Sequence, residues 1–513
     1  MDIKINNNKL SRFELLFLIL SAVVTITFVS ASSPLYPFNP WDDVNVFFTV
    51  GRGMLNGMVP YRDIFDHKGP LLYFLFAFAA LFSQKSFVGV WIVESIFASV
   101  FSVFSWKIVR LFSKPSKVAI VLMPLFLSIT YTSGMFNFGG NSEEFCFPLM
   151  TVALYFGLRS IVLGDGLPSN IEALVCGILT AALLWIKYTF LGFMIGFCLY
   201  ILCITIKRKD FKRLWSLVWR YLAGVIGLTI PILLYYVANN SLDYLYEGYF
   251  YDNLFLYLVS YEPQGVMSIP VIKNVVLVFF YLGKTVKDFP TFGVLLGLSA
   301  LSVFFIDKKY RKKTILLCLI TFFILTGVVY SRVSNIFYYS YILYYAFGFS
   351  MVTVIKGINF IKERINNGSS FYKILFVTLF TVLYATSILL CKNMYLIFKP
   401  KDYLAQYRIA ETINQTPDAK ILTYDLMDSG FYTAAGLLPS NRFCAPKNFD
   451  EGYHELRDEQ DRLIDEGYFD YVITSYFCER EMSNYELVQE ETCTYVDQFG
   501  VKYLEGYKLY KKI

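Results

Sequence analysis

Long apolar runs recur along most of this chain, and they leave it few ways to fold. Crossing a bilayer takes about 20 consecutive apolar residues in a helix. Runs near 13–31, 86–109, 118–133, 145–163, 171–187 and 188–206 reach or approach that length, as do runs near 214–237, 289–306, 314–330, 336–355 and 371–391. Two shorter runs, 71–83 and 271–283, have the length at which re-entrant or interfacial placement competes with crossing. The reading is a polytopic α-helical membrane protein with about 11 to 13 transmembrane helices. Composition agrees. The 513 residues are 56% hydrophobic and 17% charged, against about a quarter charged in soluble domains, which argues against a soluble globule. Aromatic residues make up 19% of the chain and suit membrane interfaces. The net charge of +6 is carried by short Lys and Arg clusters between apolar runs, the pattern of a topology signal, so no nucleic-acid partner is expected.

Those clusters set the expected orientation. Lys4, Lys9 and Arg12 precede the first run without a cleavage pattern, so it reads as a retained anchor with a cytoplasmic N-terminus. Counting eleven spans, the clusters Lys107/Arg110/Lys114/Lys117, Lys207–Arg213, Lys308–Lys313 and Lys356/Lys362/Arg364 all fall on the cytoplasmic side. Segments 32–85, 134–145, 238–288 and the end after about residue 392 then face outward, and thirteen spans leave that end outside as well. The expected division is a transmembrane domain over 1–391, with 32–85 as its first outer loop, and a small α/β extracytoplasmic domain over 392–513. In the latter, Tyr403–Asn414 and Asp458–Glu466 read as helices, and Ala419–Tyr424 and Phe469–Thr474 as strands.

Nine Cys occur without a Cys-x-x-Cys pair, and the only histidines are His67 and His454. Neither a disulfide framework nor a multi-histidine metal site has the material it needs, and carboxylates must carry acid–base chemistry. The first outer loop is the most informative stretch. Val44, Phe47, Phe48, Gly51 and Leu55 share one helical face, which predicts an amphipathic helix lying along the membrane surface with Asp42 and Asp43 at its N-terminus. Either aspartate there is a good N-cap, so a purely structural role stands beside a chemical one. Gly57 ends the helix, and Pro60–Asp66 turns the chain back.

Lys68 stands before Gly69-Pro70-Leu71 on the side where positive charge is disfavoured; a phosphate partner would explain it, as would snorkelling at the interface. In the second outer loop Glu143 and Glu144 stand at the mouth of the next span, where they can cap a helix or bind an acceptor or metal. Lys187 and Arg332 are stranded on the same side and could hold an anion. The aromatic segment Tyr244–Tyr261 fits either a lipid or acceptor contact or an interfacial belt.

In chain order, Trp41-Asp42-Asp43-x-x-x-Phe47, Gly57-x-x-Pro60-Tyr61-x-Asp63, Asp66-His67-Lys68-Gly69-Pro70-Leu71 and Gly140-Asn141-Ser142-Glu143-Glu144 form a recognisable set. Over roughly residues 10–390 it resembles the GT-C superfamily of membrane glycosyltransferases. Within that superfamily it is similar to the bacterial branch related to protein O-mannosyltransferases and to the lipid A aminoarabinose transferase; the C-terminal domain is only loosely matched. The resemblance implies a sugar donor on a polyprenyl phosphate, a site on the outer face and an essential acid in the first outer loop. Asp43 takes that role as general base, with Asp42 as the alternative, because relatives often carry Asp-Glu where this chain has Asp42-Asp43. Lys68 is carried over from the family's lysine-proline motif as the donor-phosphate ligand, and Arg332 and Lys187 join it. Glu143, Glu144, Asp63, Asp66 and His67 are then the residues that bind or orient the acceptor. Some superfamily members hold a divalent metal between first-loop and second-loop acids, for which magnesium or manganese would suit; no cofactor is required by this sequence. Partners would be the lipid donor, membrane lipids and an envelope glycan, lipid or protein. The rival functions are a lipid or glycan transporter or flippase, and an envelope glycan polymerase or ligase. No two-fold internal repeat is visible, and the acidic motifs sit in loops on one side.

Overall fold

The computed structural model of the chain describes residues 9–115, 117–256, 270–330, 338–365, 370–444 and 454–513. Its first half is a run of helices: α1 (Arg12–Val29), α2 (Asp42–Leu55), α3 (Pro70–Ala80), α4 (Val88–Phe112), α5 (Leu122–Tyr131), α6 (Ser142–Leu163), α7 (Asn170–Lys187), α8 (Leu191–Arg208) and α9 (Phe211–Ala238). Local sequence accounts for where several begin. Ser11 with Glu14, and Ser169 with Glu172, form capping boxes that satisfy the first free amides of α1 and α7. Lys209, in the left-handed conformation, ends α8, and the Asp210 side chain caps α9. A turn, α10 (Leu242–Leu245), and a π-helix over Tyr246–Leu256 lead on. Then follow α11 (Pro270–Asp288), α12 (Pro290–Leu301), α13 (Lys308–Tyr330), α14 (Tyr338–Tyr341), α15 (Gly348–Ile365) and α16 (Ser370–Leu389).

Among the described residues six helical stretches are long and apolar enough to cross a membrane, or seven if the pair Val276–Asp288 and Pro290–Phe305, bent by 119°, is one span. Shorter apolar helices cover Pro70–Ala80, Val118–Tyr131 and Lys373–Leu389. The chain is a multi-pass membrane protein. The runs expected at 171–187 and 188–206 form α7 and α8. These fold back on each other at Lys187, and Arg208 at the end of α8 pairs with Asp165 just before α7. Lipid tails are as apolar as the helices they meet, so association rests on close packing, and small residues permit it. At the α7–α9 contact, a Cβ on Gly177 would sit 2.0 Å from the Tyr221 carbonyl oxygen, and one on Gly224 would sit 2.1 Å from that of Leu174.

The C-terminal segment holds α17 (Ala405–Ile413), α18 (Phe431–Ala435), α19 (His454–Asp465) and a four-stranded sheet in the order β1-β2-β4-β3. β1 (Ile421–Tyr424) runs parallel to β2 (Tyr471–Ser475), with Leu422 opposite Val472. β4 (Lys502–Lys512) is antiparallel to both β2 and β3 (Tyr485–Val496), and a bulge falls between Leu487 and Gln489. The two expected strands are β1 and β2; the β3–β4 hairpin is an addition. Its turn is set by Asp497, whose side chain accepts from the Phe499 and Val501 amides at 2.8 Å, with Gly500 at positive φ.

This segment closes over the first loop. Val44 through Gly53 of α2 are all buried, which corrects the expectation of a helix lying along the membrane surface with one face in water. One side of α2 packs on α3, and the other is held by the C-terminal segment. Thr49 donates to Asp428 at 2.5 Å, and Arg52 donates to the Leu437 carbonyl at 2.9 Å. Lys392 ties the second loop to the sheet, donating to Asn137 Oδ1 at 2.6 Å and to the Val496 carbonyl at 3.2 Å. Burial of its ammonium brings its pKa down to about 7.

Replacing Gly177 by leucine should push α7 off α9 and lower stability by about 1–3 kcal/mol. Thermal unfolding in detergent checks this against Gly227→Leu on α9, where a Cβ meets nothing within 4 Å and the midpoint should hold.

Candidate active site in the first loop

Asp42 and Asp43 open α2, but neither caps it. Trp41 holds the N-cap position without a side-chain cap, and both aspartates lie in the first turn, where the helix dipole favours negative charge. One turn then separates their surroundings. Asp42 faces the C-terminal segment: it hydrogen-bonds Ser429 and lies near Glu505 and Asp428. Burial, followed by the repulsion of Glu505, raises its pKa to about 8. Asp43 instead lies within electrostatic reach of His67.

The stretch after the Pro60–Asp66 turn is built from the backbone outward. Tyr61, at a φ of 68°, donates its hydroxyl to the Lys68 carbonyl at 2.5 Å. The Lys68 amide donates to the Tyr73 hydroxyl at 2.9 Å, and that hydroxyl donates to Asp66 Oδ2 at 2.7 Å. Asn253, on the π-helix, donates to the His67 carbonyl at 2.7 Å. The side chains then form a relay. His67 Nδ1 lies 3.3 Å from Asp66 Oδ1, and His67 Nε2 lies 2.8 Å from Lys68 Nζ. An ammonium only donates, so Nε2 accepts and the ring proton belongs on Nδ1, toward Asp66. Electrostatics agree: burial and then the Lys68 charge press the His67 pKa down. Burial alone would raise the Asp66 carboxyl, but the hydrogen bonds of His67 and Tyr73 and the charge of Lys68 hold it well below the usual range.

Gly69 joins this stretch to α7. Its amide donates to the Ile186 carbonyl at 3.2 Å, and a Cβ there would fall 2.1 Å from the Trp185 carbonyl oxygen. Lys68 is thereby brought beside the end of α7, where Lys187 lies. Lys187 Nζ donates to Glu143 Oε1 at 2.5 Å, and the other oxygen of Glu143 accepts from the Ser142 hydroxyl at 3.0 Å. Phe47 of α2 places its ring 5.8 Å below Lys68 Nζ. Asp43, His67 and Lys68 thus form one group, and Lys187 with Glu143 a second, and the Gly69–Ile186 backbone contact joins the stretches that carry them.

Other expected site residues lie apart from these groups. Glu144 turns inward, accepting from the Gly140 amide at 2.8 Å and meeting the carboxyl of Glu94, which in turn accepts from the Ser30 hydroxyl. Asp63 accepts from the Val59 amide at 2.7 Å and pairs with Arg62 at 2.8 Å, which places it in the turn. Asp66 orients His67 from behind. Arg332, and the aromatic segment beyond residue 256, lie outside the described residues. Among the described residues no three His, Cys, Asp or Glu side chains converge as metal ligands. The first- and second-loop acids are committed to the separate partners above. Sequence reasoning did not single out Tyr73, Asn253, Ser429 or Glu505. Their types carry no chemical signature, and each reaches the site only through the fold.

No family model and no curated protein matches the sequence. Solved structures do. The crystal structure of ArnT from Cupriavidus metallidurans bound to undecaprenyl phosphate has a TM-score of 0.56 to this chain, with 12% identity, over 96% of this chain and 97% of that one. The apo crystal structure of the same ArnT also gives 0.56 at 12%, over 97% of both chains. The fold is that of ArnT. It is the fold that the motifs implied. The likeness to ArnT also runs through the C-terminal segment, which the motifs matched only loosely.

An Asp42→Asn variant tests the geometry of the aspartate pair. In the unfolded chain Asp42 ionises near 3.8, and in the folded chain near 8. Folding therefore holds a proton that the unfolded chain has lost, and wild-type stability falls as pH rises between those values. Asparagine escapes that loss. Thermal midpoints at pH 5, 7 and 9 should show the variant gaining on wild type with pH and levelling off above about 8; a pH-independent difference would contradict the placement.

Proposed function

We propose that this protein transfers a sugar from a polyprenyl-phosphate-linked donor to a hydroxyl of a cell-envelope acceptor, in the cell membrane and on its outer face. The observation that carries the reading is the junction at Gly69, which joins the Lys68 stretch, bonded through His67 near Asp43, to the end of α7 that bears Lys187. It occurs in a fold whose ArnT relative was crystallised with undecaprenyl phosphate. The orientation follows the Lys and Arg clusters, with the N-terminus in the cytoplasm and the C-terminal domain outside.

In the proposed step the Asp43 carboxylate takes the proton of the acceptor hydroxyl as its oxygen attacks the anomeric carbon. The bond from that carbon to the donor phosphate breaks, and the polyprenyl phosphate leaves with the bonding electron pair and one additional negative charge. Lys68 meets that charge directly, and Lys187 adds its positive charge from the end of α7. A single displacement inverts the anomeric centre. Asp43 is preferred to Asp42 as base, because a carboxyl held at a pKa near 8 keeps its proton at neutral pH. Glu143 orients the acceptor from beside Lys187. Arg332 remains a further phosphate ligand by sequence. The atoms balance without a redox cofactor.

Transfer from polyprenyl-phosphate sugars, assayed in membranes with a panel of donors and acceptors, checks the reading. Asp43→Asn should lose about 10²–10⁴-fold in kcat with donor binding retained, and Lys68→Ala about 10–100-fold in kcat/KM, the worth of one charge-assisted hydrogen bond. Wild-type protein that supports no lipid-phosphate-dependent transfer across the panel would move the function toward transport or polymerisation.

A further inference from the structure

At the end of the bundle far from Lys68, α7 and α8 splay apart. They meet again only where Arg208 pairs with Asp165, and α9 packs tightly on α7 alone through Gly177 and Gly224. The wedge left between the three helices is a cavity of about 570 Å³, lined by Pro168, Ala173, Cys176, Leu191, Leu202 and Leu214 among others. Its polar atoms are spoken for. The Thr180 hydroxyl bonds the Tyr221 hydroxyl at 2.7 Å and donates to the Cys176 carbonyl at 2.8 Å, which leaves an apolar surface.

Its depth is that of one leaflet. Along α8 the lining runs from Leu191 to Leu202, roughly 16 Å at about 1.5 Å per residue, against about 30 Å for the whole hydrocarbon core. Exposed aromatics mark its mouth as the headgroup level. Phe211, Trp215 and Trp219 at the start of α9 are 60%, 71% and 60% exposed. The mouth is also basic. Arg213 donates to the carbonyl of Pro168, a lining residue, at 2.7 Å, and Lys313 approaches Gly166 beside Arg208. Lys207, Lys209 and Lys212 are exposed and make no ion pair among the described residues.

We propose that this wedge holds an acyl chain of an anionic glycerophospholipid, with the lipid phosphate bound by Lys207, Lys209, Lys212 and Arg213. Three uncompensated lysines at the headgroup plane contribute about 1 kcal/mol each toward a net negative lipid; a zwitterionic headgroup carries its own cation and gains far less. The phosphate bound at this mouth is not the donor's, whose proposed site lies at the other end of α7, about 26 Å away for the 17 residues from Asn170 to Lys187. The proposal does not depend on the transferase reading.

Native mass spectrometry of the delipidated full-length protein, titrated with dioleoylphosphatidylglycerol or dioleoylphosphatidylcholine, tests it. Phosphatidylglycerol should bind at least about tenfold more tightly. Lys207→Gln/Lys209→Gln/Lys212→Gln, a surface change, should remove that preference, and Ala173→Phe should weaken both lipids by filling the wedge. Glycerol phosphate, which lacks the chains, should not compete. Equal binding of the two lipids, a preference that survives the triple substitution, or displacement by glycerol phosphate would each overturn the proposal. Displacement by undecaprenyl phosphate in wild type but not in Ala173→Phe would assign the wedge to the donor lipid and overturn it as well.

Discussion

The contact between Gly69 and the end of α7 is the junction on which the first loop depends. The Gly69 amide reaches the Ile186 carbonyl, and the backbones come so close that no Cβ fits between them. Two elements more than a hundred residues apart in sequence are thereby locked one residue after Lys68 and one residue before Lys187. Pro70 follows at once as the first residue of α3, where its fixed φ suits a helix start and its missing amide costs nothing. A turn, a glycine and a proline in succession thus convert the Lys68 stretch from a free loop into a rigid shelf.

Placing two cations near one another in a largely buried site is expensive unless each has a counter-charge. The chain supplies one by two routes. Lys187 is paired directly with Glu143. Lys68 is linked to Asp66 through the ring of His67, so its charge is balanced at one remove.

Much of the architecture was legible because bilayer thickness imposes a length on apolar runs, and charge clusters punctuate them. β1, β2, α17 and α19 could likewise be read from local pattern. The β3–β4 hairpin could not, because Tyr485–Val496 alternates imperfectly and carries a bulge, and much of it is exposed. The face shared by Val44, Phe47 and Phe48 correctly indicated a helix, but amphipathicity reports only one partner. That a second surface, from residues some 380 positions later, would bury Thr49 and Arg52 left no mark on the local sequence. The same blindness applies to the acids. Adjacent letters such as Asp42-Asp43 and Glu143-Glu144 look equivalent, yet successive residues on a helix point about 100° apart. One member of each pair faces the lysine cluster and the other faces a different part of the fold.

That split follows from enclosing α2 on both sides. A helix lying on a membrane surface would leave both aspartates hydrated, with no reason for either to differ from the other. Covering it with the C-terminal segment brings Ser429 and Glu505 against Asp42 while leaving Asp43 toward His67. The covering segment is itself anchored to the membrane part by charged groups: Arg442 donates to the Tyr61 carbonyl at 2.8 Å, and Lys392, just after α16, reaches both Asn137 and the Val496 carbonyl. The C-terminal segment need contribute no reactive group to matter for the chemistry. Through Ser429 and Glu505 it sets Asp42 apart from its neighbour Asp43, and it does so only while docked.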